Sequence, residues 1–354
     1  MKTLKVTLKQ HTPLIHFQHD QEGATLRASE VKPKLDRYLL TKLGNGSYKK
    51  GIEQAKDKGW LIGKGEHPAL DYKIRIVSKE RIRDIHLDSC LNNDGKWTTE
   101  KYPLLLANMG GRNSEDELVN FSLFREVILD SIIKNDELYN ELKKQIPYFF
   151  ANTNFGQRAN KGFGSFTIER IKDHDDKVTK IDSKGDSPYY IAESTLYMDF
   201  CLAKEDTPSI EDYKLVFKVI DAYWKELRNE VNKDTKINCS EIDTVEAYIK
   251  GMKNIVLDEN IQRVPAPIIF KPIFYKSKGN LYVSIYIMFD WYLLQLLKNQ
   301  YGEEQITNSN KLLMNKIDNL EYIDRFSENM LHPSYGNRRM FIDKRAIYIF
   351  FYGQ

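Results

Sequence analysis

One stretch of the chain combines glycines with cations in a way that suits contact with an anion. Residues 152–166 read NTNFGQRANKGFGSF and are termed the glycine-rich loop below. Its glycines and cations are Gly156, Gly162, Gly164, Arg158 and Lys161. Glycine lets a second backbone approach closely, and exposed N–H groups together with Arg and Lys side chains contact phosphates. The loop predicts either a phosphate-contacting surface or a tight turn packed on its own aromatic side chains.

The sequence context of the glycine-rich loop differs from that of nucleotide-cofactor loops. Phosphate-binding loops and dinucleotide-binding fingerprints open a helix. The glycine-rich loop instead follows a predicted helix and precedes the predicted strand FTIERI. We therefore expect no nucleotide cofactor.

Two aromatic residues of the loop, Phe155 and Phe163, have two possible roles. Aromatic rings stack on the bases of single-stranded RNA. An aromatic ring next to a glycine also packs beneath a turn as part of the core. The sequence leaves both roles open.

A second group of cations lies within residues 27–37. It consists of Arg27, Lys32, Lys34 and Arg37. Lys34 and Arg37 are three residues apart, so on a helix they share one face. This group predicts either a groove that follows a nucleic-acid backbone or a solvated helix face.

Three histidines, His11, His16 and His19, surround Pro13 and are followed by Asp20. A histidine beside RNA can act as general base on a 2′-hydroxyl. Their spacing fits no standard zinc pattern, so we expect no metal site, and a metal held by Asp20 alone is less favoured still. The alternative is a polar loop that happens to contain histidines.

Composition indicates a globular protein of one or two domains. The chain has 354 residues, of which 41% are hydrophobic and 29% charged. Residues 1–64 hold thirteen Lys and Arg against six Asp and Glu, although the whole chain carries only +3, which points weakly to a polyanionic partner. Three cysteines are too few for a disulfide framework, and no apolar run is long enough to span a membrane. We expect a cytoplasmic protein.

Hydrophobic periodicity predicts alternating strands and helices in the first half of the chain. The stretch LKVTLKQ is predicted as a strand, and a helix is predicted to start at Ser29 or Pro33. Residues 44–66 are predicted as a mobile basic loop, and DYKIRIVS as a strand. A long helix is predicted from Glu115 to Lys144, ending at Pro147.

The second half repeats this scheme. A strand within YYIAESTLYMDFCLA precedes a helix with Tyr213, Val216 and Ile220 on one face. Residues 263–289 are predicted as two strands joined by the turn KSKGN. The predicted fold class is α+β, with two ferredoxin-like (RRM-like) β-α-β-β-α-β folds and helical insertions. The polar stretch at 172–187 divides the chain into domains 1–180 and 181–354.

Four stretches of the sequence together resemble the RAMP superfamily of CRISPR systems. LKVTLKQHTPL resembles the family's first strand, which ends at Thr-Pro-Leu, and ATLRASEVKPKLDRYL resembles its first helix. GQRANKGFGSF is similar to the family's glycine-rich loop, and RVPAPIIFKPIFYKSKGNLYV to a late segment. The closest resemblance is to the first subunit of the type III-B Cmr effector complex.

The resemblance implies an RNA-binding subunit of a type III CRISPR antiviral effector. Its expected partners are CRISPR guide RNA, target RNA and other subunits of the complex, without a cofactor or catalysis of its own. The expected RNA-binding residues are Arg27, Lys32, Lys34, Arg37, Gly156, Arg158, Lys161, Gly162, Phe163 and Gly164. The alternative is a metal-independent endoribonuclease that processes CRISPR repeat RNA, with His11, His16 or His19 as the base. A third possibility is a scaffold that does not contact RNA.

Overall fold

The structure is a computed structural model of the chain, and it describes a defined part of the sequence. This part comprises residues 1–15, 25–63, 68–86, 90–91, 97–98, 120–181, 194–203, 207–209, 212–213, 216–217, 219–220, 255–257, 260–262, 268–277, 279–289, 302 and 304. The chain forms two compact units. The first comprises Met1–Ala159 and Phe163–Ile191, and the second comprises Asn160–Gly162 and Ala192–Gln354.

The secondary structure mixes antiparallel strands with a few helices, so the fold class is α+β. The helices are α1 (Ala28–Leu43), α2 (Tyr48–Asp57) and α3 (Asp136–Ala151). The strands of the first unit are β1 (Lys2–Gln10), β2 (Leu61–Ile62), β3 (Ala69–Leu70), β4 (Tyr72–His86), β5 (Cys90–Leu91), β6 (Trp97–Thr98), β7 (Asn120–Ile133), β8 (Phe166–Lys172) and β9 (Val178–Lys180). Those of the second are β10 (Ser194–Ala203), β11 (Ile255–Leu257), β12 (Asn260–Gln262), β13 (Ile268–Ser277) and β14 (Asn280–Phe289).

The first unit is built on a five-stranded antiparallel sheet in the order β4-β7-β1-β8-β9. Strand β1 alternates as predicted, and Leu4, Val6 and Leu8 are fully buried on one face. Helices α1 and α3 pack on the sheet. The core therefore lies between this face and the two helices.

The prediction of one helix from Glu115 to Lys144 was wrong for its described residues. Strand β7 extends to Ile133, and α3 begins at Asp136, where the Asn135 side chain caps it by accepting from the Leu138 N–H at 3.0 Å. Strand β7 is central and carries apolar residues on both faces, so its pattern also fits a helix. Pro147 does not end the helix either, because α3 continues to Ala151. Residues 99–119 lie outside the described residues.

The prediction of a mobile basic loop at residues 44–66 was also wrong in part. Helix α2 forms there, and its Ser47 cap accepts a hydrogen bond from the Lys50 N–H at 3.4 Å. Trp60 is buried, and β2 pairs with β3 directly after it. Apolar anchors at Ala55 and Trp60 fix the segment despite its many lysines.

The second unit contains a three-stranded antiparallel sheet in the order β10-β14-β13. The predicted hairpin at 263–289 is confirmed for its described residues, since Ser277 pairs with Asn280 and Gly279 takes a positive φ of 78° in the turn. Tyr213, Val216 and Ile220 are buried as predicted, and the Tyr213 ring lies 5.1 Å from that of Phe274. No helix in the described part of the chain is long and apolar enough to span a membrane.

Candidate nucleic-acid interface

The glycine-rich loop connects α3 to β8 and folds back on the segment that follows β1. Gln157 donates its N–H to the carbonyl oxygen of Ile15 at 2.8 Å, and Gly164 donates to that of Pro13 at 2.8 Å. The Thr12 hydroxyl accepts from the N–H of Ser165 at 2.9 Å. These bonds satisfy backbone groups of both segments and fix the loop's position next to the end of β1.

Close approach of one backbone to another explains the glycines at 156 and 164. Both have positive φ, 78° and 61°. A Cβ at Gly156 would lie 2.5 Å from the carbonyl oxygen of Ile15, and one at Gly164 would lie 1.9 Å from that of Phe155. Packing within the protein is therefore sufficient to require these two glycines, as the tight-turn interpretation predicts.

The middle of the loop, Asn160–Gly162, belongs to the second unit. There Lys161 forms a parallel β-bridge with Phe270 of β13, and the Phe270 N–H donates to the Asn160 carbonyl oxygen at 3.0 Å. A Cβ at Gly162 would lie 2.8 Å from the Cδ1 atom of Ile220. Main-chain contacts thus fix the backbone that carries the Lys161 side chain.

The phenylalanines of the loop are core residues. Phe155 and Phe163 are both fully buried. The Phe155 ring lies 5.5 Å from that of Phe150 and 6.0 Å from that of Phe166, within an aromatic cluster. In this conformation neither Phe155 nor Phe163 presents a ring face on which a base can stack, so the packing role applies to both.

The first turns of α1 contact the start of the glycine-rich loop. Lys34 Nζ lies 3.3 Å from the carbonyl oxygen of Asn154 and 5.0 Å from the centroid of the Phe155 ring. The Glu30 carboxylate accepts a hydrogen bond from the N–H of Gly156 and lies 3.5 Å from Lys34 Nζ. The structure therefore brings together two segments that the sequence marked as separate clusters.

Lys32 faces a different environment. Its Nζ lies 2.7 Å from the Asp36 carboxylate, 3.0 Å from the carbonyl oxygen of Leu70 and 4.1 Å from the centroid of the Tyr72 ring. Burial, followed by the charge of Asp36, raises the pKa of Tyr72 well above its ordinary value. Lys32 is thus part of the packing between α1 and the start of β4, and its ammonium group is already bound by protein acceptors.

The remaining predicted cations are accessible to solvent. Arg27 at the N-cap of α1 and Arg37 on its third turn are exposed. Arg158 and Lys161 are partly exposed, and Arg158 takes a left-handed φ of 55°, which is uncommon for a residue with a side chain. Lys34 is likewise partly exposed, with 40% of its side chain accessible to solvent.

The histidine cluster is only partly described. His11 is buried, and its Nε2 lies 2.7 Å from the Thr167 hydroxyl, so the ring is part of the structure that holds β1 to β8. His16, His19 and Asp20 lie outside the described residues. No group of three or more His, Cys, Asp or Glu side chains able to hold a metal ion occurs among the residues that are described.

Sequence patterns missed the polar groups that hold the loop in place. Thr12, Glu30 and Asn154 bond to the loop or within it, and the Asn154 side chain donates to the carbonyl oxygen of Ala159 at 2.7 Å. The one available signal was the placement of Glu30 four residues before Lys34, which favours an ion pair on a helix. The Glu30–Lys34 ion pair is present in the structure, and the Glu30 carboxylate also accepts the hydrogen bond from the Gly156 N–H.

Comparisons with known proteins place the chain in a family. The family described as the Cmr1 N-terminal domain matches residues 1–230. No curated protein gave a significant match. Among solved structures, the apo crystal structure of Cmr1 from Pyrococcus furiosus is similar at 9% sequence identity with a TM-score of 0.45, covering 82% of this chain and 88% of that one.

A chain from a cryo-EM structure of the type III-B Cmr-beta complex bound to cognate target RNA and AMPPnP is similar to the same degree. It has 11% identity and a TM-score of 0.45, with 86% of this chain and 98% of that chain covered. The family match spans well over half of the 354 residues and agrees with the resemblance found in the sequence. The chain belongs to the Cmr1 family, through its N-terminal domain.

Proposed function

We propose that the chain is an RNA-binding subunit of a type III CRISPR effector complex and that it holds RNA by the phosphate backbone without cutting it. The family supports the effector assignment. The observation that carries the RNA-binding surface is the contact of Lys34 and Glu30 with Asn154 and Gly156. It joins the cations of α1 to the glycine-rich loop, so that one polyanion can meet both.

The individual residues contribute differently to this proposed surface. Arg27, Arg37, Arg158 and Lys161 supply accessible positive charge, and Lys34 lies between the helix and the loop. The glycines shape the backbone on which Arg158 and Lys161 sit. Binding of this kind is independent of base sequence, because phosphates carry no base information.

The proposed architecture is two ferredoxin-like folds, one in each predicted domain, with the division near residue 181. Support comes from the first unit, where β1, α1, β4, β7, α3 and β8 follow one another as β-α-β-β-α-β. Those four strands lie in the sheet order β4-β7-β1-β8. The endoribonuclease alternative finds no support in the buried position of His11.

The test is a double variant, R158Q/K161Q, measured for binding to single-stranded RNA over a range of salt concentrations. We expect weaker binding to all sequences, and a slope of log K against log salt that is shallower by about 1.4, as the loss of two phosphate contacts predicts. The matched control is K49Q/K50Q, which removes the same charge from exposed positions on α2. If both variants behave like the wild type while remaining folded, the glycine-rich loop does not contact RNA.

A further inference from the structure

The five-stranded sheet of the first unit has a second face, opposite the buried one. Side chains alternate along a strand, so the burial of Leu4, Val6 and Leu8 assigns Lys5 and Lys9 of β1 to this second face. Strand register extends the assignment to the other strands, because partners directly opposite each other share a face. The surface formed by the exposed and partly exposed residues of this second face is termed the open face.

The open face is strongly cationic. Among the residues of this face whose side chains are described, nine are Lys or Arg and two, Glu126 and Asp130 of β7, are acidic. The cations are Lys5, Lys9, Lys73, Arg75, Lys79, Arg81, Arg170, Lys172 and Lys180. Glu169 lies at the bulge of β8 and is not counted on either face. Seven of the nine cations are exposed, and Lys9 and Lys172 are partly exposed.

The most regular part of the open face is the row Lys73, Arg75, Lys79 and Arg81 on β4, termed the β4 row. Strand β4 is one of the two edge strands of the sheet, and all four side chains are exposed. Alternate strand residues are about 6.7 Å apart, a spacing close to that of successive phosphates in an extended single strand. Lys73, Arg75 and Lys79 make no ion pair with any described residue, so phosphate binding there breaks no salt bridge within the described part of the chain.

The cations on the far side of β7 are partly neutralised. Arg170 pairs with Glu126, and Lys172 Nζ lies 2.8 Å from the Asp176 carboxylate. Asp130 lies opposite both Lys5 on β1 and Arg75 on β4, and Glu126 lies opposite Lys79 on β4. Arg170 and Lys172 thus form ion pairs, whereas Lys73, Arg75 and Lys79 pair with no described residue, so the β4 row has the greater capacity for an added anion.

The side chains of the open face fit a nucleic acid better than an acidic protein. The cores of protein interfaces are depleted in charged residues, Lys in particular, and are anchored by clustered aromatic or apolar side chains. The exposed apolar residues here, Ile132 on β7 and Val178 on β9, are separated by β1 and β8. Like charges in a row along one strand, interrupted once at Val77, instead match the repeated charge of a phosphodiester chain.

We infer that the β4 row is a second RNA-binding surface, which binds the phosphates of single-stranded RNA without reading its bases. The inference rests on the proposed function in that the chain binds RNA, but it uses none of the residues of α1 or the glycine-rich loop. Stacking readout needs aromatic rings on the sheet, and among the open-face residues whose side chains are described only Phe124 is aromatic.

The test is the triple variant K73Q/R75Q/K79Q of the full chain, with K49Q/K50Q/K56Q on α2 as a control of equal charge change. Binding to oligouridylate, oligoadenylate and oligocytidylate of equal length is measured against salt. We expect the triple variant to weaken binding equally for the three oligomers and to reduce the salt slope by about 2, as three lost single-strand contacts predict. The control is expected to keep the wild-type slope.

The same measurements separate this inference from the proposed function. A reduced slope in the triple variant together with a wild-type slope in R158Q/K161Q supports the β4 row and contradicts RNA contact at the glycine-rich loop. The reverse result overturns the inference and leaves the proposed function intact. A triple variant that binds RNA normally but no longer co-purifies with other subunits also overturns it, since the open face is then a protein interface.

Discussion

Lys34 on α1 lies with its Nζ 3.3 Å from the backbone carbonyl oxygen of Asn154, where the glycine-rich loop begins. One helical turn earlier, the Glu30 carboxylate accepts from the N–H of Gly156. The helix thus offers a donor and an acceptor to adjacent backbone groups of the loop. This pairing determines where the backbone of Arg158 is held relative to α1.

The first prediction concerns Glu30 as an acceptor for the loop. We expect Glu30→Ala to speed amide hydrogen exchange at Gly156 and to lower the free energy of unfolding by about 1 to 3 kcal/mol, because the N–H loses its partner. Glu30→Gln keeps an acceptor oxygen and is expected to change both quantities less. Hydrogen exchange followed by mass spectrometry measures the local effect. Equal exchange rates in the alanine and glutamine variants would show that the Gly156 bond does not order the loop.

The second prediction concerns Gly164. We expect Gly164→Ala to lower the free energy of unfolding by about 2 kcal/mol or more, because left-handed φ is unfavourable with a side chain and the new Cβ would meet the Phe155 carbonyl oxygen. Gly59 provides the control, since its φ is 66° against 61° for Gly164 and no atom lies within 4 Å of an added Cβ. Urea denaturation of both variants isolates the steric part. A Gly164→Ala variant no less stable than Gly59→Ala would contradict this account of the loop.

Local patterns predicted the glycine-rich loop between a helix and a strand, and they predicted β1 and the hairpin of the second unit. They failed at β7, where Val127, Leu129 and Ile133 are buried on one face and Ile128 on the other. A central strand with apolar residues on both faces lacks the alternation that distinguishes a strand from a helix. The apolar pattern therefore predicted a single helix across what are the strand β7 and the helix α3.

The candidate site depends on contacts between residues that are far apart in the sequence, which local patterns do not reveal. The bond from Gly156 to Glu30 spans 126 residues, and that from Ser165 to Thr12 spans 153. No local period connects such positions, so the groups that hold the loop could not be predicted. Similarly, Lys32 and Lys34 look equivalent in the sequence, and only the fold brings Lys32 to Asp36 and Tyr72 while Lys34 meets the loop.

The third prediction concerns pH and the turn that joins β8 to β9. Asp173 accepts from Lys143 Nζ at 2.6 Å and from the N–H groups of Lys177 and Asp175. The hydrogen bond from Lys143, followed by that from Lys177, lowers the pKa of Asp173 below its ordinary value of 3.8. A carboxyl with a lowered folded-state pKa stabilises the fold fully above 3.8, and this contribution is lost as pH falls through the folded-state pKa.

We expect Asp173→Asn to be less stable than the wild type at neutral pH, and the difference to disappear in acid. Asparagine keeps an acceptor for the two backbone groups, so the variant removes mainly the charge that faces Lys143. Urea denaturation from neutral pH to below the folded-state pKa of Asp173 measures the effect. Lys143→Gln and the double variant Asp173→Asn/Lys143→Gln complete a double-mutant cycle. A stability difference that is constant down to the lowest pH would show that the ion pair is not its source.

The last prediction is that the purified protein binds single-stranded RNA and leaves it intact, with or without magnesium or manganese. A general base must reach the 2′-hydroxyl at hydrogen-bond distance, and the His11 ring is 1% exposed with its Nε2 2.7 Å from the Thr167 hydroxyl. That hydroxyl is itself buried, so His11→Ala is expected to lower the free energy of unfolding by about 1 to 3 kcal/mol and to leave RNA cleavage at background.

Gel analysis of labelled RNA after incubation with the wild type and with the variants His11→Ala, His16→Ala and His19→Ala provides the measurement. Uncut RNA in all four reactions is the expected result, because His11 is a packing residue and the proposed surface contacts phosphates only. Defined products that vanish in one folded variant would instead identify that histidine as a base, since loss of a general base typically costs about 10²- to 10⁴-fold in rate. Products lost only in His16→Ala or His19→Ala would move the site to the segment between β1 and α1 and make the chain an endoribonuclease.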